Sequence, residues 1–187
     1  MHEFINDIIN KKILSEYSHS NYIDKFDGRD FLHLDCSGFV FWWLAKNKYI
    51  RALAEIKGFL RQRKYIKINR FYCRDFHEMF NSRTDFSYWE FMDIPQKNDI
   101  IVVVFDSGNG HCMFINRVIQ QTQNHLVLNI TDSTRYPHKN DSRHAPETGI
   151  GTGDITIEYS NGQTIYDAGN KKLKPKKCNV YFIHPKR

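Results

Sequence analysis

The chain has 187 residues, 41% of them hydrophobic and 14% aromatic, which is enough for one domain with a substantial core and excludes a disordered or fibrous chain. Its net charge is +6, but the basic residues are scattered. The two densest stretches, 61-RQRKYIKINR-70 and 171-KKLKPKK-177, lack an RNA-binding signature and read as solvated faces, so no nucleic-acid partner is expected.

The N-terminal segment has apolar residues at 4, 5, 8, 9, 13 and 14, a spacing that predicts a helix over about 4–17. It has no basic n-region, continuous apolar stretch or small-residue cleavage site, so no signal peptide is visible. The expectation is a cytoplasmic protein, or one exported by a route that does not read such a signal. Helices are also predicted for SGFVFWWLAKNK, RALAEIKGFLRQR and CRDFHEMFNS. The longest apolar runs, Phe39–Leu44 and Ile100–Phe105, are too short to span a bilayer as a helix, so no membrane insertion is expected.

After Pro95 the pattern changes to that of strands. The segments 99-DIIVVVFD-106, GHCMFINRVI, HLVLNITDST, TGDITIEYS, NGQTIYDAG and 178-CNVYFIHP-185 are separated by short turn-forming stretches, which predicts an antiparallel meander. One loop, from Tyr136 to Gly153, is long enough to suggest a functional role. The resulting class is α+β: N-terminal helices packed on an antiparallel sheet of about five strands. Neither a dinucleotide-binding nor a P-loop glycine pattern is present.

The four cysteines, Cys36, Cys73, Cys112 and Cys178, form no CxxC pair and no zinc-ribbon spacing. Cys112 and Cys178 lie in apolar strand-like runs and read as core thiols. Cys73 has His77 nearby, but no second ligand pair accompanies them, so no metal is expected. Cys36 stands apart because of its setting, 35-DCSGFVFWWL-44, where a thiol opens a buried helix. Unpaired N–H groups and the helix dipole favour a thiolate there, and the same N–H groups can donate to a developing oxyanion. Asp35 and Ser37 would line the cleft beside it or cap the helix. Gly38 permits a close approach by a substrate or a neighbouring strand.

A reactive thiol needs a base, and His111, opening a strand after the turn SGNG, is the best placed. A third group must orient its ring. Asp132, closing the next strand, is the leading candidate, with Asn129, His125 and His138 as alternatives. Taken singly, each of these residues fits an ordinary role in a core, turn or cap. Their order along the chain is the signal.

DCSGFV resembles the nucleophile motif of the NlpC-type cysteine peptidases, compact papain-like enzymes that act on cell-wall peptides. The later stretch 95-PQKNDIIVVV, followed by GHCMFINRV, resembles that family's Gly-His block. The resemblance covers roughly residues 20–135. It implies a papain-like hydrolase domain spanning 1–187, with an insertion at about 49–80 and a C-terminal extension of the sheet from about 136. It implies Cys36 as nucleophile, His111 as base and Asp132 at the third position, where the family often carries His. Tyr22 would serve as an upstream tyrosine near the oxyanion. No cofactor is implied. The implied substrate is a peptide or peptidoglycan fragment, such as a γ-D-glutamyl-linked bond. The alternative is an acyltransferase, deamidase or effector acting on a protein.

Overall fold

The computed structural model describes residues 14–63, 71–82, 85–144 and 146–187. Its dominant feature is a closed antiparallel barrel. Strands β5 (Ile100–Phe105), β6 (Gly110–Gln121), β7 (His125–Thr134), β8 (Gly149–Ser160) and β9 (Gln163–Asp167) follow one another as a meander. Strand β10 (Lys176–Pro185) then pairs with β5 along one edge, Cys178 opposite Phe105 and Ile183 opposite Ile100. Its first residues also pair with β9, Lys176 opposite Tyr166, and this closes the cylinder. Strand β4 (Trp89–Met92) adds to the far end of β10 outside the barrel.

The alternation of β-strand side chains gives this barrel two cores. On β5 and β6 the residues Ile101, Val103, Met113 and Ile115 fill the lumen, with Leu126, Leu128, Ile130, Ile155 and Ile157 from β7 and β8. Their neighbours Ile100, Val102, Val104, Cys112 and Phe114 face outward into a helical layer. Both faces of β5 and of the first half of β6 are therefore buried, which is why Ile100–Phe105 reads as an unbroken apolar run and not as an alternation.

Among the described residues, three helices form the outer layer: α1 (Cys36–Lys46), α2 (Ile50–Gln62) and α3 (Cys73–Asn81). In α1 the buried set Cys36, Phe39, Val40, Trp43 and Leu44 follows helical spacing. Phe39 and Trp43 close on Phe114 of β6 with ring centroids at 5.7 and 4.5 Å. Helix α3 packs Phe76 edge-on against Trp89, whose indole N–H donates to the Ala52 carbonyl of α2 at 3.0 Å.

A small sheet completes the described residues. Strands β2 (Tyr22–Phe26) and β3 (Arg29–His33) form a hairpin about Asp27 and Gly28, both at positive φ, and β1 (Leu14–Glu16) runs parallel to β3. Ser15 and Tyr17 bond to the start of β8, and the Ser133 hydroxyl of β7 donates to the Leu34 carbonyl at 2.5 Å. The segment leading into α1 is thus tied to the barrel strand that carries Asp132.

This architecture overturns the expected papain-like arrangement of N-terminal helices on a sheet of about five strands. Strand outweighs helix among the described residues, and the stretch from 136 supplies β8, β9 and β10, three staves of a closed six-strand barrel. The physical reason is the long-range pairing of β10 with β5 and β9, which turns an open meander into a cylinder with its own apolar lumen. The helix expected over about 4–17 falls mostly outside the described residues, but Leu14–Glu16 is a strand.

Candidate active site

The site lies where the helical layer meets the rim of the barrel. Asp35 is the N-cap of α1: its Oδ1 accepts from the Gly38 N–H at 2.8 Å and from the Ser37 hydroxyl at 3.0 Å. Cys36 follows as the first helical residue, and helix geometry leaves its N–H and that of Ser37 without an intrahelical acceptor. Asp35 and Ser37 line the cleft and cap the helix at once. The close approach expected at Gly38 is made by the Asn21 side chain, which also accepts from the Asp35 N–H at 3.0 Å.

His111 is the second residue of β6. Thr131 pairs with Phe114, which faces the helices, so Asp132 projects to the other face, into the lumen. Because His111 sits at the strand end, its ring reaches both sides. Nε2 meets Asp132 Oδ2 at 2.5 Å, and the ring lies beside Cys36, whose charge acts on it. With Nε2 committed to Asp132, Nδ1 is the nitrogen left for sulfur. Cys36, His111 and Asp132 are therefore brought to one place.

Asp132 is fully buried and has further partners. His138 Nε2 meets Oδ2 at 2.8 Å, and Arg143 donates to Oδ1 at 2.9 Å. Arg143 also binds Asp141 through two nitrogens at 2.7 Å and donates to the Gly149 carbonyl. His138 is fixed in turn by its contact with the Ala168 carbonyl at 3.0 Å. The long loop after Tyr136 thus folds back to clamp the carboxylate that orients His111.

The electrostatics follow from these contacts. The neighbouring Cys112 and Cys73 thiols, ahead of the charge of His111, overcome burial and hold the Cys36 thiol well below the usual range. Burial pulls the His111 imidazole down, but the Cys36 thiolate and the Asp132 carboxylate outweigh it and raise the group to about 10. Burial likewise opposes ionisation of Asp132, and His138, Arg143 and His111 together hold it well below the carboxylate range. These directions describe a thiolate–imidazolium pair backed by an ionised aspartate.

Two cavities flank this chain. One, of about 500 Å³, is lined by Asp35, Cys36, Ser37, Tyr72, Cys73 and Arg74. The other, of about 300 Å³, contains His111 and His138 over an apolar wall of Phe105, Tyr166, Ala168 and Leu173, with Arg135, Lys174 and Lys176 at its edge. Tyr17, His19 and Gly110 line both. A Cβ at Gly110 would collide with the Cys73 side chain and the Val103 carbonyl, so only glycine fits between the two openings.

Tyr22 is not part of this site. It lies on β2, 47% exposed, stacked on His33 at 4.1 Å. Tyr17 occupies the cleft instead, under the Arg135 guanidinium, and burial followed by the nearby Cys36 and Asp35 charges raises its hydroxyl above the tyrosine range. Sequence reasoning also missed the approach of Cys73 and Cys112 to Cys36. No local pattern marks it, because the three cysteines come from α1, α3 and β6. His77 turns away from Cys73 to the Tyr181 hydroxyl at 2.6 Å.

Two groups, Cys36–Cys73–Cys112 and His111–Asp132–His138, bring donor atoms within 4.8 Å of one another. In the second, Asp132 is already engaged by both imidazoles and by Arg143. In the first, the positive ends of α1 and α3 converge on the sulfurs and oppose a cation.

Comparison of the chain with protein-family models, with curated proteins and with solved structures returns no match.

Proposed function

We propose that this protein is a cysteine hydrolase that cleaves amide bonds of a short peptide through Cys36, His111 and Asp132. The observation that carries the reading is a thiol at a helix N-terminus beside one imidazole, which is itself hydrogen-bonded to a buried and fully partnered carboxylate. The Cys36 thiolate attacks the substrate carbonyl, and the Cys36 and Ser37 N–H groups face the oxygen that gains charge. His111 carries the proton to the departing amine and then takes one from water, which releases the acyl group from sulfur. Asp132 keeps the ring oriented and its charge balanced throughout.

The cavity holding His111 has three cations in its lining and no carboxylate, so a substrate bearing an anionic group beside the scissile bond suits it. The motifs DCSGFV and GHCMF resemble those of NlpC-type cell-wall peptidases, and this motif-level likeness favours a cell-wall peptide over other amides. The test is incubation with short peptides of γ-D-glutamyl type, followed by intact-mass analysis for a thioester on Cys36. Cleavage with an acyl adduct that Cys36→Ala abolishes supports the reading. An active Cys36→Ala variant overturns it.

A second reading keeps the chemistry and changes the acceptor. Because one cavity lies on each side of the reacting pair, an amine could replace water and make the protein an acyltransferase. Transfer of the acyl group to an added amine, at the expense of free acid, would favour it.

A further inference from the structure

Three of the four cysteines meet at one point, yet the hydrolytic chemistry uses only one. The Sγ atoms of Cys36, Cys73 and Cys112 all lie within 4.8 Å of one another. Cys112 has an ordinary explanation. It is completely enclosed on β6, locked opposite Val102, and packs in the helical-layer core. Cys73 has a different placement. It opens α3 as Cys36 opens α1, lines the same cleft, and is 6% exposed where Cys36 is 8%. A small oxidant in that cleft meets Cys36 with Cys73 beside it.

We propose that Cys73 is the resolving partner of Cys36, so that a hydroperoxide converts the pair into a Cys36–Cys73 disulfide and reversibly silences the hydrolase. The inference rests on the reading of Cys36 as an activated nucleophile. In the first step the Cys36 thiolate attacks the peroxide oxygen. The S–O bond forms as the O–O bond breaks, Cys36 becomes a sulfenic acid, and the peroxide leaves as an alcohol or water after taking up a proton. In the second step the Cys73 sulfur attacks the Cys36 sulfur. The S–O bond breaks, and the hydroxide leaves as water with the proton that Cys73 gives up.

The electrostatics couple the two steps. The neighbouring Cys112 lowers the Cys73 thiol, but contact with Cys36, burial and the Cys36 charge together raise it well above its ordinary value. Oxidation of Cys36 to an uncharged sulfenic acid removes that charge. Cys73 then ionises more readily at the moment its thiolate is needed. The N–H groups opening α3 favour the same ionisation.

The experiment uses the full chain treated with hydrogen peroxide and digested without reduction. The expected result is a crosslinked pair of peptides containing Cys36 and Cys73, with iodoacetamide labelling of Cys36 lost and then fully restored by dithiothreitol. In Cys73→Ser, dimedone should capture a sulfenic acid on Cys36, and longer exposure should give a sulfinic acid that dithiothreitol does not reverse. Oxidation of wild-type Cys36 to sulfinic acid without a crosslink, or a crosslink to Cys112, overturns the proposal and leaves the nucleophile reading standing. Oxidation of Cys36 no faster than that of Cys178 overturns the nucleophile reading itself. The wild-type peptide map decides the matter even if Cys73→Ser folds poorly.

Discussion

His111 and Asp132 meet at 2.5 Å across the rim of the barrel, one from the start of β6 and the other from near the end of β7. The carboxylate is wholly enclosed, while the imidazole keeps 14% of its side chain open to the cleft. Asp132→Asn retains the shape and removes one of the two charges that hold the ring as an imidazolium, the other being that of Cys36. Peptide cleavage should fall by on the order of 10⁴-fold, as for the equivalent change in a serine-protease triad. Steady-state kinetics with circular dichroism as a fold control checks this.

Arg143 contributes to stability before it contributes to chemistry. It is buried and neutralises both Asp132 and Asp141. Arg143→Ala leaves two enclosed carboxylates facing one another across the vacated space. Loss of one partner of a buried pair costs about 3–5 kcal/mol. Arg143→Lys should recover only part of that, because a single ammonium cannot reproduce contacts made by three guanidinium nitrogens. Urea denaturation of the three proteins measures the ranking.

The pH dependence of stability follows from two opposed groups. His111 is raised to about 10, so its contribution is complete below its unfolded value of about 6.5 and is lost as pH rises through about 10. Cys36 is lowered, so its contribution is complete above about 8.5 and is lost as pH falls through its depressed value. Between about 6.5 and 8.5, as long as Cys36 stays ionised in the fold, the two slopes are opposite and cancel to a plateau. Above about 8.5 the His111 slope alone remains, so stability falls toward about pH 10. Cys36→Ala removes the largest influence raising His111, and the alkaline loss should disappear with it. Thermal unfolding across pH for both proteins tests the shape.

Gly110 separates the two cavities, and its neighbours leave no room for a methyl group. Gly110→Ala should press Cys73 and the Val103 carbonyl apart, displace the start of α3, and shift His111 beside it. Overpacking of this kind costs about 1–3 kcal/mol. The expected signature is a fall in kcat larger than the loss of stability alone predicts, since the reacting pair sits one residue away.

The local elements were legible in the sequence wherever packing followed a simple period. The three outer helices occupy the segments their apolar spacing predicts, and β5, β6 and β7 occupy theirs. The closure of the barrel was not legible, because alternation along β8, β9 and β10 reads the same for an open sheet and a cylinder. The hairpin β2–β3 did carry a signal, Asp27-Gly28 between two mixed strands, although sequence reasoning singles out only Tyr22 there. Cys36, His111 and Asp132 could be named from order and company, and they do lie together. Tyr17 and Cys73 could not, because what brings them to Cys36 is the packing of β1 and α3 and not any spacing along the chain.

The central claim is that His111 makes a thiolate of Cys36, and labelling rate against pH tests it most directly. Wild type and His111→Ala are treated with iodoacetamide, and each cysteine is followed by mass spectrometry. An activated pair predicts that Cys36 is labelled selectively, at a rate that persists well below the ordinary thiol range, and that His111→Ala shifts this labelling toward alkaline pH. A Cys36 that titrates near 8.5 like a free thiol in both proteins would contradict the account.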